Sequence, residues 1–395
     1  MDLETFNQSP AGRVLKVGRG ESAYWAFVPH PLPPALEPDK LLWSVLAEAM
    51  LAVGRLDGLA RDLPNPHLLL RPLIRREAEV SSRIEGTRAS LRELLMWESA
   101  HRLPAGSTTS VADVQEVLNY VHALEYGLER RAALPLSLRF LRELHGILMD
   151  GVRGNHATPG EFRTSQNWIG RPGSTINSAT YVPAPPDRLG PALGEFEKYL
   201  HVDNEYPALV RLAFIHYQFE AIHPFLDGNG RIGRLLLGLL VVHWGLVSQP
   251  LLYLSEYFER NRRDYYGLLL EVSERGAWRE WVEFFVRGVA EQAERTARRT
   301  RAILDLRVEW KRILTQQRAS TLTLRLADSL LDNPAVTVRQ AQELLGTTSH
   351  NTAQRHIDRL VASGIVEPVG GDSYDRTYEA LAVTRVLQEV EDHGV

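Results

Sequence analysis

The sequence predicts a mainly α-helical protein with two or three domains, of which the last is small and mixes helices with strands. The chain has 395 residues, more than a single ordinary core accommodates. Apolar residues recur at helical spacing over most of its length, and a glycine such as Gly86 stands where a helical stretch stops. Near the C-terminus the pattern becomes two helices followed by a short hairpin around Gly370–Gly371.

Composition and charge exclude several classes of protein. Hydrophobic residues make up 44% and charged residues 24% of the chain, as in a globular protein. The formal net charge is −4, so the whole molecule has no basic bias toward nucleic acid or membrane. The chain contains no cysteine, which excludes disulfides, thiolate metal sites and cysteine nucleophiles.

Hydropathy predicts a cytoplasmic protein without a membrane partner. The most apolar run, LLLGLLVVHWGL at 235–246, is too short to span a bilayer. The stretch MDLETFNQSPAGRVLK is acidic at its start and lacks the apolar core of a signal peptide.

The predicted elements run from helices, through a long loop, to further helices. Helices are predicted over 40–57, 71–86, a segment that starts near 110, and LPLSLRFLRELHGILMDG, then over 189–201, 208–221, 229–244, 254–275 and 277–290. Residues 151–190 are rich in glycine, proline and polar residues, with TYVP as the one strand-like piece, and a loop of this length is usually functional. The predicted domains are an N-terminal helical region (1–110), a central helical domain (111–290), a helical connector (291–325) and a C-terminal domain (326–395).

The stretch HPFLDGNGRIGRLL (223–236) has the features of an anion-binding turn. Asp227 to Gly230 separates two helices, and the helix that begins near Asn229 offers unpaired N–H groups and the positive end of its dipole. Gly228 and Gly230 allow the backbone to approach an anion without a Cβ atom in the way. The turn is therefore predicted to bind phosphate.

The charged residues around this turn support the same interpretation. Arg231 and Arg234 lie on one face of the first helical turn and extend the positive field. Asp227 would repel a bare phosphate unless a divalent cation lies between them, and Mg²⁺ is usually held by a carboxylate together with substrate phosphates. His223 is able to transfer a proton near neutral pH. The alternative is an ordinary turn with a capping Asn229, a core histidine and two solvated arginines, but the combination favours phosphate.

The same residues carry a resemblance to a known family. The run 223–234 resembles the full signature of the Fic family, HPFxDGNGRxxR, at every fixed position, and with its flanking segments the resemblance covers roughly residues 70–290. It implies a Fic helical core with a β-hairpin flap. Most Fic proteins transfer AMP from ATP to a hydroxyl side chain of another protein. The resemblance thus implies a protein adenylyltransferase with ATP as substrate, Mg²⁺ as cofactor and a target protein as partner.

The resemblance also implies a role for each residue of the signature. His223, Asn229 and Arg231 would be catalytic, with His223 taking the proton from a Ser, Thr or Tyr of the target. Asp227 would hold Mg²⁺. The nucleotide phosphates would be bound by Gly228, Asn229, Gly230, Arg231 and Arg234. Arg234 would hold chiefly the γ-phosphate, and fixed amide dipoles, a cation and guanidinium groups would meet the charge that develops at Pα.

Two flanking segments resemble further parts of Fic proteins. QNWIGRPGSTINSATYVPAPP (166–186) resembles the flap that clamps a segment of the target protein by strand pairing, although by itself it could be an ordinary surface loop. SEYFERNRRDYYGLL (255–269) resembles the segment that lines the adenine pocket, with Asn261, Tyr265 and Tyr266 as candidates. Tyrosines at this spacing are as often helix packing, and that alternative stays open.

Glu85 is an acid at the unfavourable end of a helix. It falls in the last turn before Gly86, where a negative charge meets the negative end of the helix dipole, so a partner from elsewhere is one interpretation and a solvated glutamate the other. SSRIEG (81–86) resembles the inhibitory motif (S/T)xxxE(G/N) of Fic proteins, with Ser81, Glu85 and Gly86 at its fixed positions. The resemblance implies that Glu85 pairs with Arg234 and so keeps ATP from binding productively.

Residues 326–395 resemble a winged helix-turn-helix, a small α+β domain. The supporting helix would be 337–345, the recognition helix 349–363 and the wing 366–378. The residues that would read DNA bases are Ser349, His350, Asn351 and Gln354. Basic residues that could meet phosphates stand among acidic ones, namely Arg355, Asp358, Arg359, Glu367, Asp372, Asp375 and Arg376. A DNA partner and a protein partner are therefore equal alternatives for this module, and a homodimer is left open.

Three functions follow from these interpretations. The leading one is an adenylyltransferase that Glu85 inhibits. A related Fic activity, such as transfer of another nucleotide or of phosphate, or removal of AMP, would use the same phosphate site. A DNA-binding regulator that only senses nucleotide belongs to a different class, and the complete signature, His223 included, argues against a dead catalytic domain.

Overall fold

The computed structural model describes residues 1–61, 67–104, 106–130, 136–152, 158–202, 205–369 and 376–388. Over these residues the fold is mainly helical, as predicted, with small antiparallel sheets. The hairpin predicted around Gly370–Gly371, together with Asp372 and Asp375, lies outside the described residues.

The helices of the described residues are α1 (Leu3–Asn7), α2 (Lys40–Arg61), α3 (His67–Ile84), α4 (Leu91–Ala100), α5 (Val111–Arg130), α6 (Leu138–Leu148), α7 (Pro186–His201), α8 (Ala208–Ile222), α9 (Asn229–His243), α10 (Ser255–Arg260), α11 (Arg262–Arg275), α12 (Trp278–Gln316), α13 (Thr321–Ser329), α14 (Val338–Leu345), α15 (His350–Ala362) and α16 (Leu381–Gln388). The strands are β1 (Gly12–Val17), β2 (Tyr24–Pro29), β3 (Ala335–Thr337), β4 (Glu367–Val369) and β5 (Thr377–Glu379). β1 pairs with β2, and β5 lies between β3 and β4, all antiparallel. None of these helices is long and apolar enough to cross a membrane.

The chain divides into two compact units. The first unit comprises Met1–Gly54 and His122–Ala293, and the second unit comprises Arg55–Val121 and Glu294–Val395. These limits differ from the ranges predicted from the sequence, because the N-terminal residues form one unit with the central helices.

Two buried helices form the centre of the first unit. Helices α8 and α9 are buried on nearly all sides, as expected of helices that are apolar all round. Trp281 of α12 is fully buried and donates its indole N–H to the Ala213 carbonyl of α8 at 2.8 Å. The turn that connects α8 to α9 is therefore held at both ends by packed helices.

Several elements differ from the sequence-based prediction. The helix predicted over 254–275 is interrupted, because Asn261 has a non-helical backbone (φ −106°, ψ 36°) and its side-chain amide donates to the Tyr257 carbonyl at 3.0 Å. The connector predicted over 291–325 does not begin as a separate element, because the helix α12 runs without a break from Trp278 to Gln316. The β1–β2 hairpin and α4 have no counterpart among the predicted elements, because both are too short to give a strong periodic pattern.

In the second unit, α4 contacts the three-stranded sheet. Arg92 of α4 pairs with Glu379 of β5 at 2.9 Å, and the Ser99 hydroxyl donates to the Ala335 carbonyl of β3 at 3.1 Å. Helix α14 ends at Gly346 in the left-handed region (φ 65°), and Ser349 caps α15. The two helices agree with the predicted positions, and the winged helix-turn-helix stays a prediction.

Gly127 lies where three helices of the first unit pack closely. It lies in α5, and a Cβ atom built there would come within 2.9 Å of a Leu239 methyl of α9 and 3.3 Å of Leu144 of α6. Gly190 in α7 differs, because a Cβ atom there would meet nothing within 4 Å.

Gly127→Leu is expected to lower the free energy of unfolding by about 1–3 kcal/mol, because the added side chain overfills a packed contact. Gly190→Ala is the matched control and should leave stability unchanged or raise it by up to about 1 kcal/mol, since alanine favours the helix. Thermal unfolding of both variants checks this. Equal melting temperatures would contradict the close contact at Gly127.

Candidate functional site

The turn between α8 and α9 has a defined backbone at both of its ends. His223 follows α8 in the left-handed region (φ 51°, ψ 63°), and its N–H donates to the Phe219 carbonyl at 3.0 Å. Gly228 precedes α9, also with a positive φ of 77°, where glycine is favoured. The N-terminal N–H groups of α9 thus begin directly after a glycine, as the predicted anion-binding turn requires.

The hydrogen bond of His223 fixes its neutral tautomer. Nδ1 lies 3.2 Å from the Glu220 carbonyl oxygen. Because a carbonyl oxygen only accepts, Nδ1 is the donor, and Nε2 carries the lone pair of the neutral ring. The half-buried imidazole is thereby oriented as a general base would be.

Arg163 holds the backbone on either side of His223. Its Nε donates to the His223 carbonyl at 2.8 Å, and its Nη2 donates to the carbonyls of Ala184 at 2.5 Å and Ile222 at 3.3 Å. Its own N–H donates to the Pro224 carbonyl at 2.9 Å. Burial lowers the pKa of this guanidinium to about 10, so Arg163 stays charged at neutral pH and its charge is met by carbonyl dipoles.

Sequence reasoning missed Arg163. The residue lies in the loop predicted over 151–190, about sixty positions before the turn that it holds. Its signal in the sequence is only an arginine within EFRTS, and nothing local distinguishes it from a solvated arginine.

The Asn229 side chain stabilises the turn through hydrogen bonds to its backbone. Its Oδ1 accepts from the Phe225 N–H at 2.8 Å, and its Nδ2 donates to the Phe225 carbonyl at 2.9 Å. The Asn167 side chain donates to the same carbonyl at 2.8 Å. Both polar atoms of the Asn229 side chain are therefore used by the backbone of Phe225. Its predicted role in catalysis and phosphate binding stays a prediction.

His145 is a second residue that sequence reasoning missed. Its ring is fully buried and stacks on Phe225 with a centroid distance of 3.8 Å. The Gly160 N–H donates to Nδ1 at 2.9 Å, so Nε2 carries the hydrogen that it donates to the Asp227 carbonyl at 3.1 Å. Burial lowers the pKa of His145 to about 4. A neutral imidazole thus fixes the residue at the centre of the turn.

Met149 and His145 occupy the space beside Gly228. A Cβ atom built on Gly228 would lie 3.0 Å from the Met149 sulfur and 3.5 Å from the His145 ring. The positive φ and this contact both require glycine at the position.

Two buried guanidinium groups lie at the start of α9. Arg231 is 5% exposed and Arg234 is 3% exposed, and buried charges are usually paired. Nε and Nη1 of Arg231 have no hydrogen-bond partner in the described part of the chain, and its Nη2 is 3.9 Å from Asp227 and 3.6 Å from the Met149 sulfur. Arg231 therefore has donors available for an anion.

Asp227 presents the acidic group of the turn to solvent. Its side chain is more than half exposed, and its Oδ1 accepts from the Gly228 N–H at 2.6 Å. Within the described ranges no three acidic or histidine side chains gather as a metal cluster. The donor set fits a Mg²⁺ ion that one carboxylate shares with substrate phosphates, and it does not fit a cage built by the protein alone.

Comparison with known families identifies the domains that contain this turn. The profile described as Fic/DOC family N-terminal matches residues 43–129, and the profile described as Fic/DOC family matches residues 135–241, which include the turn. The chain carries the domains of the Fic/DOC family.

Curated relatives share the Fic domain. Proteins named protein adenylyltransferase Fic from Drosophila erecta and Drosophila grimshawi are each 28% identical over 47% of this chain, and one from Culex quinquefasciatus is 30% identical over 41%. The matched parts are 34%, 35% and 28% of those relatives. The chain thus spans about a third of the length of the curated relatives it matches.

Solved structures show the same fold. A Fic family protein from Desulfovibrio desulfuricans matches with a TM-score of 0.55 at 20% identity, over 88% of this chain and 98% of that chain. Fic-1 from C. elegans matches with a TM-score of 0.52 at 22% identity, over 67% of this chain and 74% of that chain. Likeness at these identities concerns the fold alone.

The flap of this Fic domain is less regular than predicted. In place of a β-hairpin over 166–186, the described structure has a single antiparallel bridge, in which Ile169 and Tyr181 exchange N–H to carbonyl bonds of 2.8 and 3.0 Å. Glycines and a proline between the two positions disfavour a longer ladder. The Tyr181 hydroxyl donates to the Ala221 carbonyl at 2.8 Å. Trp168 and Ile169 are exposed.

The candidates for the adenine pocket separate into core and surface residues. Tyr265 is 1% exposed, its hydroxyl lies 2.8 Å from Nε2 of His216, and its ring stacks on Phe258. It packs as a core residue, in agreement with the helix-packing alternative, and its place in an adenine pocket stays a prediction. Tyr266 is 41% exposed and Asn261 is half-buried, so these two stay candidates.

The segment 81–86, predicted to inhibit productive ATP binding, belongs to the second unit. Helix α3 ends at Ile84, Glu85 is exposed, and Gly86 is in the left-handed region (φ 100°). Ser81 is fully buried. Because Arg234 belongs to the first unit, the Glu85–Arg234 pair stays a prediction.

The low pKa of His145 predicts a pH-dependent stability. The unfolded ring binds a proton near pH 6.5, whereas the folded ring does so only near pH 4, so unfolding takes up a proton between these values. The free energy of unfolding should therefore fall as the pH is lowered from 6.5 to 4, by about 3 kcal/mol from this residue. Urea denaturation of the wild type and His145→Gln across this range measures the difference.

His145→Gln should show a flatter profile than the wild type, because it has lost this titrating group. The control is His201→Gln at an exposed position, which should keep the wild-type slope. Parallel profiles for the wild type and His145→Gln would show that His145 is not held neutral by the fold.

Proposed function

We propose that this chain is a protein adenylyltransferase that transfers AMP from ATP to a Ser, Thr or Tyr hydroxyl of a target protein with Mg²⁺. The observation that supports this most is the orientation of His223, whose Nδ1 donates to the Glu220 carbonyl so that Nε2 carries the lone pair of the neutral ring. The same turn leads into the N-terminus of α9, where N–H groups favour an anion. The curated relatives that share the Fic domain are named for this activity.

The reaction needs one base and a site for negative charge. The target hydroxyl gives its proton to Nε2 of His223 while its oxygen forms a bond to Pα of ATP. The bond from Pα to the oxygen bridging to the β-phosphate breaks, and pyrophosphate leaves with the electron pair. The N–H groups of Asn229 and Gly230 and the free donors of Arg231 would meet the charge that develops on the phosphates. The Gly228 N–H, which donates to Asp227 Oδ1, would join them by exchanging that bond for a phosphate oxygen.

Asp227 is the residue that would hold Mg²⁺. Its exposed carboxylate lies at the turn, where the cation would neutralise charge shared with the phosphates of ATP. Arg234 would bind chiefly the γ-phosphate, and Asn261 and Tyr266 would contact adenine.

Three further residues act by positioning the turn. Arg163 holds the His223 carbonyl, His145 holds the Asp227 carbonyl, and the Asn229 side chain holds both backbone polar groups of Phe225. Because the backbone is fixed on both sides of the turn, His223 would keep a constant position relative to the anion site at the start of α9. Catalysis by orientation requires such a fixed arrangement.

We also propose that the target docks on the flap. Its exposed residues Trp168 and Ile169 could receive an extended segment of the target, with main-chain bonds for affinity and side-chain contacts for selectivity. The short Ile169–Tyr181 bridge leaves most of the flap backbone outside a ladder of its own.

ATP labelled at either the α- or the γ-phosphate distinguishes the candidate reactions. With Mg²⁺ and cell lysate, protein-bound label is expected from the α-phosphate only. His223→Ala should lower this labelling by about 10²–10⁴-fold, the range expected for loss of a general base.

Each other outcome points to a different function. Label only from the γ-position would indicate phosphate transfer. No label from either position would favour another nucleotide, removal of AMP, or the DNA-binding regulator, and binding of a promoter fragment in a mobility assay would test that last alternative. Labelling that survives His223→Ala unchanged would exclude His223 as the base.

The inhibitory role of Glu85 is tested separately. Glu85→Gly should raise α-label transfer about tenfold or more, the change expected if an ion pair worth roughly 1.4 kcal/mol competes with the γ-phosphate for Arg234. Glu85→Gln should do the same with less change to the backbone.

The matched control is Glu37→Gly, at another exposed glutamate in a loop. Its labelling should equal that of the wild type. If Glu85→Gly and Glu37→Gly behave alike, Glu85 is a solvated surface residue and the autoinhibition proposal is wrong.

A further inference from the structure

In the described part of the chain, one edge of strand β1 carries no partner strand. The other edge of β1 pairs with β2 over the whole length of both strands, and the two form a sheet of their own. β2 in turn faces the flap, because the Phe27 N–H donates to the Val182 carbonyl at 2.8 Å. The layer therefore runs from the flap through β2 to β1, and an edge strand presents unpaired backbone groups.

The register shows which backbone groups point to this open edge. The His30 N–H donates to the Ala11 carbonyl at 2.8 Å, so these two residues form a hydrogen-bonded pair. Bonded and non-bonded pairs alternate along an antiparallel ladder. Every second residue counted from Ala11 therefore bonds to β2. The N–H and C=O groups of the residues between them, Val14 and Lys16, point away from β2.

The bond from β2 to the flap agrees with this assignment. Phe27 lies opposite Val14, in a non-bonded pair, and its N–H bonds to Val182 on the side away from β1. Val14 is half-buried and Lys16 is exposed. Within the described ranges, the backbone groups of these two residues make no hydrogen bond to another part of the chain. They leave two N–H donors and two C=O acceptors for an added strand.

The exposed side chains of this strand are basic. Arg13 and Lys16 are exposed, and neither makes an ion pair with any residue that the structure describes. The Lys16 ammonium lies over the Trp25 ring, 5.8 Å from its centroid, which orients the charge without neutralising it. Successive side chains of a strand alternate between its faces, so Arg13 and Lys16 lie on opposite faces. We call the open side of residues 13–16 the β1 edge.

We propose that the β1 edge binds an extended acidic segment of a partner protein as an additional antiparallel strand. A residue directly opposite Arg13 or Lys16 shares its face, with Cβ atoms about 5 Å apart. Two acidic residues three positions apart in the segment would thus meet both cations. The two residues between them lie opposite Val14 and Leu15, where β-branched side chains fit. A second copy of the β1 edge is a poorer occupant, because it would bring four cations together.

Main-chain bonds would hold such a segment, and its acidic side chains would select it. The probe is a synthetic peptide with blocked ends, Thr-Glu-Val-Val-Glu-Thr, added to the full chain and followed by amide hydrogen exchange. In the free chain the Val14 and Lys16 amides should exchange fast, whereas β2 protects the Leu15 amide. Saturating peptide should slow exchange at Val14 and Lys16 by about tenfold or more. The same peptide with lysine in place of both glutamates should not protect them.

Val14→Pro removes one outward N–H and keeps the ladder to β2, since proline is tolerated on an edge strand at such a position. It should weaken binding of the acidic peptide about tenfold or more. Val14→Thr keeps the N–H and should bind as the wild type does. Equal binding by these two variants would contradict pairing through the backbone of the β1 edge.

Charge exchange tests the occupant without relying on proline. The double variant Arg13→Glu with Lys16→Glu should lose the acidic peptide and bind the lysine peptide instead. Lys40→Glu, at another exposed lysine of the first unit, is the matched control and should keep the wild-type preference. A double variant that still prefers the acidic peptide would show that these cations do not select the occupant.

Two further results would overturn the proposal. The first is exchange at Val14 and Lys16 that stays fast at about 1 mM peptide. The second is slow exchange at both amides before peptide is added, because the edge would then be covered by the chain itself or, if protection grows with protein concentration, by a second copy. None of these measurements depends on adenylyl transfer, so the failure of either proposal is distinguishable from that of the other.

Discussion

The geometry of the candidate site depends on the buried guanidinium of Arg163. Its three side-chain bonds to the carbonyls of Ala184, Ile222 and His223 join the end of the flap to the end of α8. A buried cation without these acceptors would be strongly unfavourable. The turn is thus held in one conformation because other conformations would leave the charge unsolvated.

Two neutral groups complete the support of the turn that the charged Arg163 provides. The His145 ring stays uncharged because it is buried, and the Asn229 amide binds backbone on both sides. Asp227 and Arg231 then carry the charge at the turn. The backbone of the turn is thus fixed while Nε and Nη1 of Arg231 stay available for an anion.

Structure that depends on neighbouring residues was predicted from the sequence, whereas contacts between residues far apart in the chain were missed. The turn and the start of α9 lie within one short stretch, so helix signals and spacing were enough to predict them, and phosphate binding by its residues stays a prediction. Arg163 and His145 act across sixty and more positions, and no local pattern marks such contacts. The sequence left pocket and helix packing open for Tyr265, because the exposure of adjacent tyrosines depends on which side of α11 meets the core.

The free donors of Arg231 have a consequence for the folded protein as a whole. A buried guanidinium with hydrogen-bonding nitrogens left unsatisfied within the described residues lowers the stability of the ligand-free fold. An anion that binds there restores those bonds, so recognition and folding share the same free energy. An anion bound at Arg231 would therefore raise the free energy of unfolding of the chain, and its removal would lower it.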